Sequence, residues 1–142
     1  MINKIKFNGS NKPTLGVELE LFTVNKHSYA LTNGAPGILS NFKDNTFFKE
    51  ELLQCIVEVT TDVCSNVNEI YNDLRPKIDM AIEYSNQHDI ELLSMPIHPF
   101  SRVSDQKVTE NDRYMKFLNR MQWPLRRLLI TGIHVHVGVE SG

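Results

Sequence analysis

The chain has 142 residues, 41% hydrophobic and 23% charged, the profile of one globular domain and not of a collagen-like, disordered or disulfide-dense chain. Its 15 Lys and Arg against 17 Asp and Glu give a net charge of −2, mixed along the chain, which argues against nucleic acid as a partner. The longest apolar runs, such as Leu128-Leu129-Ile130, fall far short of the roughly 20 residues that a membrane-spanning helix needs.

Met1 to Phe7 holds two lysines with no apolar segment after them, so no secretory signal is expected. Leu15 to Val24 alternates as a strand does, with Val17, Leu19, Leu21 and Thr23 on one face and Glu18, Glu20 and Phe22 on the other. Asn25 to Gly37 collects turn residues and reads as a loop, followed by a short helical turn over Ile38 to Phe42. Ile56 to Thr61 is a second strand, with Glu58 and Thr60 sharing a face. Cys55 and Cys64 are the only cysteines and suit a reducing, cytoplasmic compartment as plain thiols.

Asn66 with Glu69 three residues on forms a capping-box pattern. Val67, Ile70, Leu74, Ile78 and Ile82 then recur at helical spacing, and Pro76 inside that stripe predicts a kink or a split. Ile90 to Met95 is a third strand, closed by Pro96 and Pro99. A further helix is expected over Glu110 to Met121, with Tyr114, Phe117, Leu118 and Met121 inward. Pro124 breaks it, and Leu125 to Ile130 continues as another turn. Gly132 to Val139 returns to a strand. Its Ile133, Val135, Val137 and Val139 are expected to be buried, and His134 and His136 face the opposite way. No internal repeat or linker divides the chain, so residues 1–142 read as one domain.

Three groups of residues carry chemistry. Glu18 and Glu20, two apart on a strand, project from one face about 7 Å apart and suit hard cations such as Mg²⁺ or Mn²⁺. A lone Glu-x-Glu is more often the acidic, solvated face of a strand. Glu58 stands alone between Val57 and Val59 and decides nothing by itself. His134 and His136 can bind one metal together, and with a carboxylate from another strand would resemble a zinc hydrolase site. An isolated His-x-His is as readily a hydrogen-bonded surface pair. Three strands that each present such groups on one face make a cradle for metal, and the joint pattern outweighs its parts.

These motifs together resemble the type 2 glutamate–cysteine ligases and related carboxylate–amine ligases. The matching pieces are TLGVELELFTVN (Thr14 to Asn25), EELLQCIVEVTTDVC (Glu50 to Cys64), MPIHPFS (Met95 to Ser101), NDRYMKF (Asn111 to Phe117) and TGIHVHVGV (Thr131 to Val139). They stand in family order and nearly cover the chain. The resemblance implies an α+β fold, a partial glutamine-synthetase-like antiparallel sheet with helices packed on one face and metal and ATP held on the other. It implies an ATP-dependent ligase of the kind used in glutathione biosynthesis. ATP would phosphorylate the glutamate side-chain carboxylate, and the amine of cysteine would attack the acyl phosphate. Glu18, Glu20 and Glu58 would ligate Mg²⁺ (or Mn²⁺), His134 would add an imidazole, and His136 would lie beside it as a ligand neighbour or nucleotide contact.

The physical logic agrees, because phosphoryl transfer is catalysed mainly by positioning and charge neutralisation and needs no dedicated nucleophile. Arg113, beside Tyr114, offers a planar fork to a carboxylate or phosphate, and a salt bridge to Glu110 or Asp112 is the ordinary alternative. His98, between Pro96 and Pro99, lies on a loop, where it binds a ligand or caps a turn. Family members are longer, so the chain resembles their N-terminal part, a fragment whose site is expected to be incomplete. A truncated homologue that binds metal or nucleotide without turnover is the competing reading. The missing part also predicts an exposed sheet edge at Gly132 to Val139, open to a second copy of the chain.

Overall fold

The computed structural model describes residues 8–44, 46–121 and 129–140. Its spine is β1 (Thr14–Asn25), a strand of 12 residues rich in β-branched and aromatic side chains. One edge of β1 pairs antiparallel with β3 (Ile56–Thr60), and β2 (Phe48–Glu50) pairs with the far side of β3. The other edge takes two strands end to end. There β5 (Ile133–Gly138) runs against residues Thr14 to Leu19, and β4 (Ile90–Leu93) against Phe22 to Asn25. The result is a five-stranded antiparallel sheet in an α+β fold.

The alternation of β1 divides two clusters of buried residues. Leu19 and Leu21 point with Val57 and Val59 towards α1 (Ala35–Asn41) and α2 (Val67–Asn86), which cover that face. Phe22, Val24 and Ile56 point to the opposite face and pack with Leu53, Cys55 and Leu129. Burying one such aliphatic or aromatic side chain stabilises the fold by about 1.5–3 kcal/mol. Gly34, just before α1, allows the loop to press on the sheet, since a Cβ there would lie 2.9 Å from the Cβ of Thr23.

The capping box at the start of α2 forms as the sequence predicts. Asn66 Oδ1 accepts the Glu69 amide at 3.0 Å, and the Glu69 carboxylate accepts the Ser65 amide at 2.6 Å. Pro76 does not split the helix, which runs unbroken for 20 residues. The Asn72 carbonyl deprived of its helical partner lies on an exposed turn where water can reach it. Of the apolar residues at helical spacing, Val67 and Ile82 are 72% and 40% exposed. The buried positions are Lys77, Ala81 and Ser85, flanked by Leu74 and Ile78. Small residues let the helix approach the sheet closely. Lys77 buries its stem while its Nζ donates to Thr60 O at 3.0 Å and to Asp73 Oδ2 at 2.6 Å.

The expected burial of the apolar side of β5 is overturned. Ile133, Val135 and Val137 are each more than 60% exposed, and Val139 is 46% exposed. This strand pairs with β1 alone among the described strands, and α2 lies over β4, β1 and β3. The apolar row therefore runs past the rim of the helical layer, and among the described strands the outer edge of β5 is unpaired.

The remaining expectations shift at their boundaries. The helical turn begins at Ala35, with Pro36 in its first turn, where a missing N–H costs no helical bond. Strand β2 has no counterpart in the sequence reading. The later helix, α3, covers Asp112–Met121. The inward placement of Phe117, Leu118 and Met121, the break at Pro124 and most of the following turn lie outside the described residues or side chains.

Ile38 is fully buried and Val135 is 61% exposed. In urea denaturation Ile38→Ala is expected to cost about 2–5 kcal/mol, and Val135→Thr to change stability by no more than about 0.5 kcal/mol.

Candidate active site

The strand register assembles the ionisable face. Glu20 lies directly across from Glu58, and Glu18 sits between Thr60 on one side and His134 on the other. Cross-strand partners share a face, so these side chains converge. Glu51 joins them from the segment after β2, where a tight turn with Ile56 N donating to Leu53 O at 3.0 Å brings the chain back beside β3. One carboxylate oxygen each from Glu20, Glu51 and Glu58 lie within 4.8 Å of one another.

Three acids at that spacing oppose one another's ionisation. Burial first, then a hydrogen bond shared with Glu58 and the charges of Glu20 and Glu58, push the Glu51 carboxyl up to about 7, against the stabilising amide of Leu52. Glu20 is also raised by burial and by its acidic neighbours, although Gly132 N donates to its Oε2 at 2.9 Å. Glu58 is only 7% exposed, and its nearest cation is Lys49 Nζ at 3.5 Å. A compact, partly buried set of hard oxygen donors carrying excess negative charge is chemically suited to Mg²⁺ or Mn²⁺.

Glu18 forms a neighbouring unit. His134 Nδ1 lies 3.3 Å from its Oε2, and His136 Nε2 lies 3.2 Å from its Oε1. Burial opposes ionisation here, but the hydrogen bonds from His136 and His134 and the positive charge of His136 hold the Glu18 carboxyl below its ordinary range. An ionised carboxylate only accepts, so each of these ring nitrogens carries its proton towards Glu18. When its ring is neutral, His134 keeps the Nε2 lone pair free, and a carboxylate of this kind orients metal-ligating histidines.

A cleft of about 820 Å³ opens over this face, bordered by Glu20, Glu51 and His134 on the sheet side. The cleft is also bordered by α3, which contributes Arg113, Tyr114, Lys116 and Arg120. Tyr114 Oη donates to Glu50 O at 2.9 Å and Asn111 bonds the Glu50 side chain, so the start of α3 is tied to the acid-bearing segment. Burial, then the charge of Glu51, pushes the Tyr114 phenol up to about 12. The Arg113 guanidinium lies 5.8 Å from the Tyr114 ring centroid. Among the described residues it makes no ion pair with Glu110 or Asp112.

The structure thus unites Glu20 and Glu58 in one cluster, sets Glu18 with His134 and His136 beside it, and brings Arg113 to the border of the same cleft. Glu51, Lys116 and Arg120 are additions that the sequence reading does not contain. His98 is elsewhere and has a structural role. Its Nδ1 accepts the Ser101 amide at 3.1 Å and its Nε2 lies 3.0 Å from Tyr29 O, so a neutral ring ties two loops together. Cys55 and Cys64 are free and buried. Burial raises the Cys55 thiol to about 11, which removes it as a nucleophile.

Comparison with known proteins places this geometry in context. The family described as glutamate–cysteine ligase family 2 matches residues 14–142. A Mycobacterium tuberculosis H37Rv protein named "Putative glutamate--cysteine ligase 2" is 38% identical over 138 residues, covering 97% of this chain and 37% of that protein. A protein of Mycobacterium sp. JLS named "Putative glutamate--cysteine ligase 2-1" is 36% identical over 139 residues, 98% of this chain and 37% of its own length. The chain therefore spans little more than a third of the curated relatives it matches.

The raised Glu51 carboxyl sets a pH signature. Between the ordinary Glu value and about 7 the folded state holds a proton that the unfolded state has released. Stability should therefore fall as pH rises through that window. In metal-free thermal melts Glu51→Gln is expected to melt higher than the parent at pH 8, with the difference vanishing near pH 4. Equal melting temperatures at both pH values would show that the carboxylates do not oppose one another.

Proposed function

The chain belongs to the glutamate–cysteine ligase family 2, and on that premise we propose that its cleft serves an ATP-dependent carboxylate–amine ligase. The γ-phosphoryl group of ATP passes to the side-chain carboxylate of glutamate, giving ADP and an acyl phosphate. The amine of cysteine, or of another acceptor, then attacks the acyl carbon. An amide forms, phosphate leaves, and the amine gives up its proton. The observation that carries this reading is the meeting of opposite charges in one cleft, which Glu20, Glu51 and Arg113 all border.

The residues present fit a divalent cation, since the three carboxylates supply hard oxygens at close range. In this reading Glu20, Glu51 and Glu58 hold Mg²⁺ or Mn²⁺, Glu18 orients His134, and His134 offers Nε2 as an additional ligand. His136 shares the Glu18 carboxylate and is placed beside the nucleotide. The cation, when bound, neutralises charge on the transferring phosphoryl group. Arg113 engages an anionic oxygen through its planar fork, and Tyr114 fixes the helix that carries it. The apolar side chains of Leu52, Leu53 and Ile56 border the same cleft and limit water there.

A second reading is favoured by length. Because the chain covers 37% of the relatives it matches, it forms a metal- and nucleotide-binding unit that needs further polypeptide to turn over. Calorimetry separates the two, since this reading expects Mg-ATP binding without phosphate release.

For the ligase, the native protein carrying this chain should release phosphate from Mg-ATP only when glutamate and an amine are supplied. Glu20→Gln and Glu58→Gln are each expected to lower that rate by about 100-fold or more, with folding checked by circular dichroism. Phosphate release that is independent of glutamate, or unchanged in both variants, would refute the assignment.

A further inference from the structure

We propose that Arg113, Lys116 and Arg120 together form a binding wall for a linked polyphosphate, resting on the reading of this cleft as the nucleotide site. All three border the 820 Å³ cleft that Glu20 and Glu51 also border. On the helix they fall at i, i+3 and i+7, within an arc of about 60°, so one stripe of α3 carries them. Among the described residues none of the three has an acidic partner within salt-bridge distance, and their charge is available to a ligand.

The spacing selects the class of anion. Seven residues of helix extend about 10 Å along the axis. One carboxylate can be grasped by one or two of these groups but cannot reach all three. A chain of linked phosphates distributes its charge over a comparable length and engages each in turn. The side-chain types agree, with two planar forks for paired oxygens and one compact ammonium between them. A long nucleic acid is disfavoured, because the same cleft also carries Glu20 and Glu51 and the chain is net negative. The acidic side instead dictates direction. A cation held by Glu20 and Glu51 would draw one end of the phosphate chain to them, and the remaining phosphates would lie along α3.

The wall also accounts for a difference between Arg113 and its neighbours. Arg113 rests near the Tyr114 ring at 5.8 Å, and the start of its helix is tied to Glu50 through Tyr114 and Asn111. All three are exposed, and Lys116 and Arg120 are farther from that tie. Arg113 is thus the fixed end of the wall, and the other two are long side chains that close on a bound chain of phosphates.

Calorimetric titration of the native protein with inorganic tripolyphosphate, in metal-free buffer at low ionic strength, tests the wall apart from catalysis. Charge-assisted hydrogen bonds lost at two positions predict that Lys116→Gln/Arg120→Gln binds tripolyphosphate about 10-fold or more weakly. The charge-keeping pair Lys116→Arg/Arg120→Lys should stay within about 3-fold of the parent, which guards against a variant that has merely misfolded. Lys26→Gln, outside the cleft, should leave binding unchanged. Unaltered affinity in the double Gln variant, equal weakening by Lys26→Gln, or a parent that binds glutamate but not tripolyphosphate would overturn the proposal. A protein that shows the expected pattern yet forms no amide keeps the wall and loses the ligase reading.

Discussion

The antiparallel register of β1 is the constraint on which the remaining features depend. Glu20 opposes Glu58 and Glu18 opposes His134 because β3 and β5 pair with opposite edges of the same strand segment. A slip of one residue in either pairing would carry a functional group to the helical face and bring an aliphatic one into the cleft. The register is held by burial on both faces. Leu19, Leu21, Val57 and Val59 lock one side, and Phe22, Val24 and Ile56 lock the other. The ionisable residues do not choose their own positions. Apolar neighbours on the same strands place them.

That arrangement divides one face of β1 into two regions. Its first half bears Glu18 and Glu20, and its second half bears Phe22 and Val24, both fully or nearly fully buried. The apolar half supplies rigidity and a low-dielectric border for the acidic half. Burial of Glu58 and partial burial of Glu51 and Glu20 make their mutual repulsion stronger than it would be in water. A cluster that raises Glu51 to about 7 is strained electrostatically in its ion-free form. Among the described residues Arg113, Lys116 and Arg120 make no salt bridge with this cluster, so their charge does not relieve it.

Local patterns in the sequence carry much of this. Alternation places Glu18, Glu20, Glu58 and the two histidines on one face, since a period of two is a property of each strand alone. The capping box at Asn66 is local in the same sense. Glu51 is different. It stands outside any regular strand and reaches the cluster through a turn closed by Leu53 and Ile56, and no periodicity marks it. Lys116 and Arg120 carry the same pattern as any solvated helix face until the cleft is seen beside them. The apolar spacing along α2 marks the helix and includes Leu74 and Ile78, which pack on the core, but it does not point to Ala81, Ser85 and Lys77, its buried positions. Alternation along β5 correctly separates imidazoles from aliphatics, but it cannot say whether a layer covers the aliphatic side.

The uncovered row on β5 bears on the site itself. His134 lies between Ile133 and Val135, both more than 60% exposed, so burial contributes little to fixing this imidazole. What holds it is a ladder of hydrogen bonds to one neighbouring strand, the pair of Glu20 contacts to Gly132, and the bond from Ser10 N to Val139 O at 2.9 Å. Segments held by hydrogen bonds with few buried apolar contacts open at lower free energy than the core. The acid cluster, by contrast, rests on β1 and β3, the best-buried strands. The two halves of the site therefore differ in stiffness, with a rigid carboxylate floor and a more loosely held imidazole arm. A cation bridging Glu20 and His134 would tie the arm to the floor, and ligand binding and local ordering would then be one event.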